Sequence, residues 1–372
     1  MLTLAAVLAV FVYGLNSALL GALLPSYSLS AGQQGNLGLA NALGLVIASL
    51  SSGPLVDFQG KKIAIVLGLS LVCAGLVWAP NADGYFGLLG AYFTLGMGGG
   101  IVTTGANSLV GDMTPERRAS ALNFLNLFFG LGGIVTTYAA SYLFKAAMLC
   151  YGIAALAALA VLTNAVARVE KGEAEFRLNE VPALLSHRAL LLLSLLLFLY
   201  VACEVGVWNW LKAYLISIHF DPQTAGGIVS YGFAFGMLIG RLTASRILIT
   251  IQPVNVVLAS GLLMVVTTFV MLHVGSRTGV TVAVFTAGFS MAPVFPTVLA
   301  MVANSFPRGT ATAMGIAITS GWIGLAASSP IIGSIAASGT LRHALLLLPA
   351  LASAMVLVNL VLRFNMRITA TA

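Results

Sequence analysis

Apolar residues run along this chain in long blocks divided by short polar breaks. Twelve blocks stand out, at about 2–25, 34–56, 62–80, 85–111, 119–143, 146–168, 188–217, 223–249, 254–275, 278–303, 309–337 and 341–364. An apolar run of roughly 20 residues crosses about 30 Å of hydrocarbon as a helix, the one single-segment fold that satisfies its own backbone there. The pattern predicts an all-α membrane protein with twelve transmembrane helices.

Composition agrees. With 59% of its 372 residues hydrophobic and 7% charged, a soluble domain of this size would lack a polar surface. Twelve spans leave no room for a separate soluble domain, so the function is expected inside the helix bundle. The first block lacks a basic leader and a small-residue cleavage site before Pro25, and is expected to be a retained helix rather than a signal peptide.

One longer polar segment, between Val169 and His187, holds Glu170, Lys171, Glu173, Glu175, Arg177 and Glu180. It divides the chain into an N-terminal six-helix bundle (1–168), a linker (169–187) and a C-terminal six-helix bundle (188–372). The halves repeat faintly: Phe11-Val12-Tyr13 is echoed by Phe198-Leu199-Tyr200, Gly53-Pro54-Leu55 by Gly240-Arg241-Leu242, and Pro115-Glu116-Arg117 by Pro307-Arg308-Gly309. Parallel repeats of this kind support alternating access, two bundles rocking about a site near the bilayer midplane.

The net charge of +7 comes from basic residues scattered among loops, which fits sidedness rather than nucleic-acid binding. With the N-terminus inside, thirteen Lys and Arg residues, among them Arg241 and Arg246, fall on inner loops and helix ends and four fall outside. Both termini are therefore expected in the cytoplasm of a multi-pass plasma-membrane protein, in a bacterium the inner membrane. Cys73, Cys150 and Cys203 lie in apolar runs of different helices and read as packed small hydrophobes.

The segment Gly53-Pro54-Leu55-Val56-Asp57-Phe58-Gln59-Gly60-Lys61-Lys62 resembles the signature of the loop between helices 2 and 3 in the major facilitator superfamily. With the repeat and the helix count, the resemblance covers essentially the whole chain and implies the major facilitator fold of two pseudo-symmetric bundles. It implies a gating latch: Gly53 and Gly60 permit close approach, Lys61 and Lys62 hold the inner face, and Asp57 pairs near Arg117 or Arg118. A plain basic loop obeying the positive-inside rule is the competing explanation.

A finer resemblance lies in helix 7. Tyr200-Val201-Ala202-Cys203-Glu204-Val205, followed by Trp210-Leu211 and Tyr214-Leu215, is similar to a helix of the fucose and glucose/galactose permeases. Phe295-Pro296-Thr297 in helix 10 resembles that family's Phe-Pro-Thr. The proton-linked fucose permeases carry acids in helix 1 just before Leu-Leu-Pro and in helix 4 upstream of an Asn. Aligned on Leu23-Leu24-Pro25 and Asn107, those positions here read Gly21 and Thr103. Symport and uniport therefore both stay open.

Glu204 is the one carboxylate placed deep in a span. A charge at the bilayer centre costs about 3 kcal/mol on insertion scales, so Glu204 is expected to face the interior, as a proton-coupling site, a hydroxyl acceptor or a packing acid. Asn16, Asn41, Asn107, Asn123, Asn126 and Asn209 also fall inside spans, and amides suit sugar hydroxyls as donors and acceptors. Interhelical bonding is the alternative for about half of them. Tyr200, Glu204, Trp208 and Lys212 recur every fourth residue on one stripe, where Trp208 could stack on a sugar ring. Tyr13, Asn16 and Ser17 are expected across the cavity, and Trp322 with Thr319 is a weaker candidate.

No cavity-facing arginine is evident from the sequence, which argues against obligate anions. No His or Cys cluster has metal-ligand spacing, and no Gly-Lys-Ser phosphate loop occurs, so neither metal nor other cofactor nor ATP is expected. The site residues expected to bind solute are Tyr13, Asn16, Asn107, Asn123, Asn126, Glu204, Trp208, Asn209 and Trp322. The sequence predicts a monomeric transporter of a small neutral sugar, a hexose, with or without protons through Glu204. A proton-driven exporter of lipophilic or cationic compounds is the alternative. A membrane enzyme or receptor finds no nucleophile–base pair and no use for the repeat.

Overall fold

Residues 2–23, 27, 29–167 and 180–370 are described in the computed structural model of the protein. Most of the expected linker, 169–179, lies outside them, as do Arg168, Leu24 and Pro25.

The spans are α1 (Leu2–Leu23), α2 (Ala31–Gln59), α3 (Lys61–Trp78), α4 (Gly84–Met113), α5 (Arg118–Tyr142) and α6 (Ala146–Val166) in the first bundle. The second holds α7 (Arg188–Ser217), α8 (Pro222–Ile247), α9 (Pro253–Met271), α10 (Arg277–Ser305), α11 (Thr310–Ala337) and α12 (Leu347–Ala370). Eleven of the described helices are long and apolar enough to cross a membrane, and α1 supplies a shorter apolar helix over Leu4–Leu19.

Polar caps set the ends. Ser30 and Gln33 form a reciprocal capping box that opens α2, and Asp221, followed by Pro222, opens α8. The segment expected to be a loop between helices 2 and 3 is helical instead. Helix α2 continues through Pro54 to Gln59 and α3 starts at Lys61, leaving Gly60 as the turn at φ +95°, which only glycine adopts without strain.

The halves use the same pairings. In the first bundle α1 packs on α5, α2 on α4 and α3 on α6; in the second, α7 packs on α11, α8 on α10 and α9 on α12. The repeat extends to the close contacts. A Cβ on Gly44 or Gly96 would strike the main chain across the α2–α4 contact, and a Cβ on Gly236 or Gly288 would do so across α8–α10. Without a hydrophobic force between helices in lipid, such small-residue contacts let dispersion hold the bundle.

Between the bundles, α2 lies against α11, and α5 lies against α8 and the last part of α10. Among the described residues, two spans depart from a plain α-helix. Helix α8 contains a π-helical stretch, Ile228–Phe233, and α10 breaks at Ala292-Pro293 between Arg277–Met291 and Val294–Ser305. Both irregularities lie in spans that meet the other bundle, where freed backbone groups find protein partners rather than lipid.

Candidate functional site

A polar chain crosses the molecule where α4 packs on α5 and α5 packs on α8. Asn107 on α4 donates to the Thr103 carbonyl at 2.8 Å, and its Oδ1 accepts from Asn126 Nδ2 on α5 at 2.8 Å. Tyr13 on α1 stands beside Thr103 and packs its ring 5.3 Å from that of Phe129. All these side chains are buried except Phe129, which is half-buried.

Arg241 of α8 continues the chain into the second bundle. Its Nη1 donates to the Asn126 carbonyl at 2.7 Å, its guanidinium lies 5.8 Å from the Phe129 ring centroid, and a Cβ on Gly130 would sit 3.2 Å from Nη1. The residue is only 4% exposed, and its Nε has no hydrogen-bond partner among the described residues. This corrects two expectations: Arg241 is not a residue of an inner helix end, and the bundle interior does hold an arginine. The arginine lies eight residues inside a run read as 223–249, about 12 Å along a helix. That depth was the available signal.

Glu204 on α7 lies within the electrostatic reach of Arg241, beside Tyr200 and Trp208, without closing a direct ion pair. The Tyr200 hydroxyl is buried beside the Glu204 carboxylate. Glu204 is half-buried and Trp208 is 38% exposed, with its ring edge-on to Phe233 of the π-helical stretch at 5.0 Å.

The other expected residues divide. Asn123 donates across the boundary to Thr297 Oγ1 of α10 at 3.0 Å, and Trp322 Nε1 donates to Ser49 Oγ of α2 at 3.0 Å, so both are joints between bundles. Asn209 is exposed and donates to Ser329 on α11, within its own bundle. Asn16 is buried, its Oδ1 without a partner among the described residues.

The latch differs from the expectation as well. Asp57 does not pair with Arg117 or Arg118. Its Oδ1 accepts from the Ala311 amide at 3.3 Å, and its Oδ2 accepts from the Thr312 amide at 2.9 Å and hydroxyl at 2.6 Å. The cause is the free N–H groups and positive dipole end of α11, which attract an anion. Lys61 and Arg118 turn instead to Asp112, at 2.6 and 3.8 Å, and Arg118 also donates to Asn304 Oδ1 across the boundary at 2.6 Å. Lys62 and Arg117 form no ion pair among the described residues. Gly53 is where α2 touches α11: a Cβ there would lie 2.5 Å from Thr312 Cα.

These interbundle bonds, together with that from Ser120 to the Ser245 carbonyl, all lie in the half of the molecule nearer the basic loops. The bundles are thus joined at the basic end, and Glu204 and Trp208 stand above the joint.

Two repeated six-helix bundles, joined at one end around a buried polar centre, define a membrane transporter. The chain belongs to the major facilitator superfamily, whose family model matches residues 2–329. It is 24% identical over 267 residues to Bypass of stop codon protein 6 of Saccharomyces cerevisiae, covering 62% of this chain and 54% of that protein. It is 36% identical over 123 residues to the 4-hydroxybenzoate transporter PcaK of Pseudomonas putida, 31% of this chain and 27% of that one. With the nitrite extrusion protein of Bacillus subtilis it shares 26% identity over 235 residues, 58% of each chain. The match thus spans about half the length of the first of these relatives.

Among solved structures, the E. coli fucose:proton symporter superposes with a TM-score of 0.84 at 18% identity, over 96% of this chain and 97% of that one. The human organic anion transporter MFSD10 gives 0.82 at 16%, over 96% and 98%. Both share the fold.

Proposed function

We propose that the protein moves a small neutral polyhydroxyl solute, a hexose, by alternating access, with Glu204 as the proton-coupling group. The observation that carries this reading is charge balance at the centre. The two ionisable groups of opposite sign there, Glu204 and Arg241, sit among the hydroxyls and amides of Tyr200, Asn107 and Asn126. With Glu204 ionised, the centre carries its own counter-charge and has no net charge to offer an ion, and it offers neutral donors and acceptors to hydroxyls. Trp208 supplies an exposed ring face beside Glu204.

The basic loops assign the joined end to the cytoplasm, so the arrangement described is outward-facing. In this reading residues 1–168 and 188–372 are the rocking units, and the sugar enters above Glu204.

A second reading is favoured by one feature. The unpartnered Nε of Arg241 would suit a small organic anion whose carboxylate takes its charge when Glu204 is neutral. The names of the relatives point both ways, toward fucose and toward organic and inorganic anions.

The test is uptake of labelled glucose, galactose, fucose and 4-hydroxybenzoate into proteoliposomes, with and without an inward proton gradient. Accumulation of a sugar only with the gradient supports symport through Glu204, and gradient-independent equilibration makes the protein a sugar uniporter. Uptake of the aromatic acid alone replaces the sugar reading with the anion one.

A further inference from the structure

Helix α6 packs on α3 and α1 and only lightly on α5, and its main contacts include none with the second bundle. The gap between α5 and α6 is a groove of about 340 Å³, floored by Phe11 and Leu15 of α1 and walled by Val135 and Ala139 of α5 and by Met148 and Gly152 of α6.

Nothing in this groove suits a solute from water. Thr136 is the one lining side chain with a polar group, and its hydroxyl is already committed, donating to the Leu15 carbonyl at 2.9 Å. Val135 and Met148 are exposed although they belong to apolar spans, so the bilayer is the solvent at this face. Gly152 carries the argument further. Gly44 and Gly96 are required by a neighbouring main chain, whereas a Cβ on Gly152 would meet nothing within 4 Å. Glycine weakens a helix interior relative to alanine, and no contact within the chain calls for it here. What needs the room lies outside the chain.

The groove has the depth of one leaflet. Helix α5 starts beside Arg117 and crosses to Tyr142, so α6 begins on the side opposite the basic loops. Leu156, the deepest lining residue on α6, lies about 15 Å along it from Ala146, half of the roughly 30 Å of hydrocarbon. At the mouth Phe144 lines the groove, and the next residue is Lys145, exposed and in no ion pair among the described residues. A wholly apolar slot with a cation at headgroup level matches a hydrocarbon chain that ends in a negative charge.

We propose that this groove binds one acyl chain of an anionic phospholipid in the leaflet opposite the basic loops, with Lys145 holding its phosphate. The lipid then joins α6 to α5, the helix that carries Asn123 and Asn126 to the second bundle. The site is separate from the polar centre and stands whichever solute is carried.

The experiment is native mass spectrometry of the delipidated protein, titrated with phosphatidylglycerol or phosphatidylethanolamine of identical dioleoyl chains. One phosphatidylglycerol is expected to bind about fivefold more tightly than the zwitterionic lipid, the preference that one lysine confers near a membrane surface. Lys145→Gln should abolish that preference and leave the affinity for phosphatidylethanolamine unchanged. Gly152→Leu fills the groove and should weaken both lipids by about tenfold, since displacing two methylenes from an apolar site suffices. Gly38→Leu, which also adds a side chain where a Cβ meets nothing within 4 Å, should change neither.

Equal affinity of the two lipids for the unmutated protein, or undiminished binding of both by Gly152→Leu, overturns the proposal. So does a dimer that disappears in Gly152→Leu while lipid binding persists, which would make a second copy of the chain the occupant. Lys145→Gln alters an exposed residue, so its result stands even where Gly152→Leu fails to fold.

Discussion

Asp57 on α2 caps a helix of the other bundle: its Oδ2 lies 2.9 Å from the amide nitrogen and 2.6 Å from the hydroxyl oxygen of Thr312. Hydrogen bonds to a charged group are worth about 1.5–3 kcal/mol, and the dipole of α11 adds to them. Asp57→Ala is expected to raise the basic-end-open population by about 10- to 100-fold, at 1.4 kcal/mol per factor of ten. Asp57→Asn, which keeps an acceptor and loses the charge, should fall between. Labelling of Ser49→Cys, at a position buried in the joint, by an impermeant thiol reagent in a background free of native cysteines reads that population.

At Gly53 the α2–α11 contact has no room for a methyl group, since a Cβ would meet Thr312 Cα at 2.5 Å. Gly53→Ala should hold the basic end apart, at an overpacking cost of about 1–3 kcal/mol, and should slow uptake at least tenfold. Gly38→Ala on the same helix meets nothing within 4 Å and should leave uptake unchanged while stabilising α2 by about 0.5–1 kcal/mol. Equal losses from the two substitutions would show that helix flexibility, not the contact, governs transport.

Asp112 holds Lys61 within the first bundle and is one-third exposed. Exposed pairs contribute about 0–1 kcal/mol, so Asp112→Asn should lower the thermal midpoint only slightly and leave uptake within about twofold. A loss comparable to that of Asp57→Ala would move the latch from the α11 terminus to the ion pair.

Glu204→Gln is expected to keep sugar exchange down a gradient and to lose accumulation driven by a proton gradient. Counterflow and gradient-driven uptake measured on the same vesicles separate the two. Loss of counterflow as well would make Glu204 a substrate contact rather than a coupling group.

Much of the frame was legible before any coordinates. Apolar length predicted the spans because bilayer thickness imposes it, and Glu204 stood out because a carboxylate there needs a partner. The reach of Glu204 to Tyr200 and Trp208 followed from their spacing of four on one helix. Other readings failed for identifiable reasons. The Gly53–Lys62 segment reads as a loop because glycine, proline and charge cluster there, yet helix continues on both sides of Gly60. The family resemblance implied that Asp57 pairs near Arg117 or Arg118, and the electrostatics of a helix terminus from the far bundle prevailed.

The sequence by itself determined the number and length of the helices, the two-fold repeat and the scarcity of charge within the spans. Each of these is local, set by hydropathy over about twenty residues or by resemblance between distant segments. Only the tertiary structure decided which bundle end is joined, what Asp57 holds and where Arg241 points. Those depend on which faces of separate helices meet, and a side chain buried by a partner more than a hundred positions away, as Arg241 is by Asn126, leaves no periodic trace in its own segment.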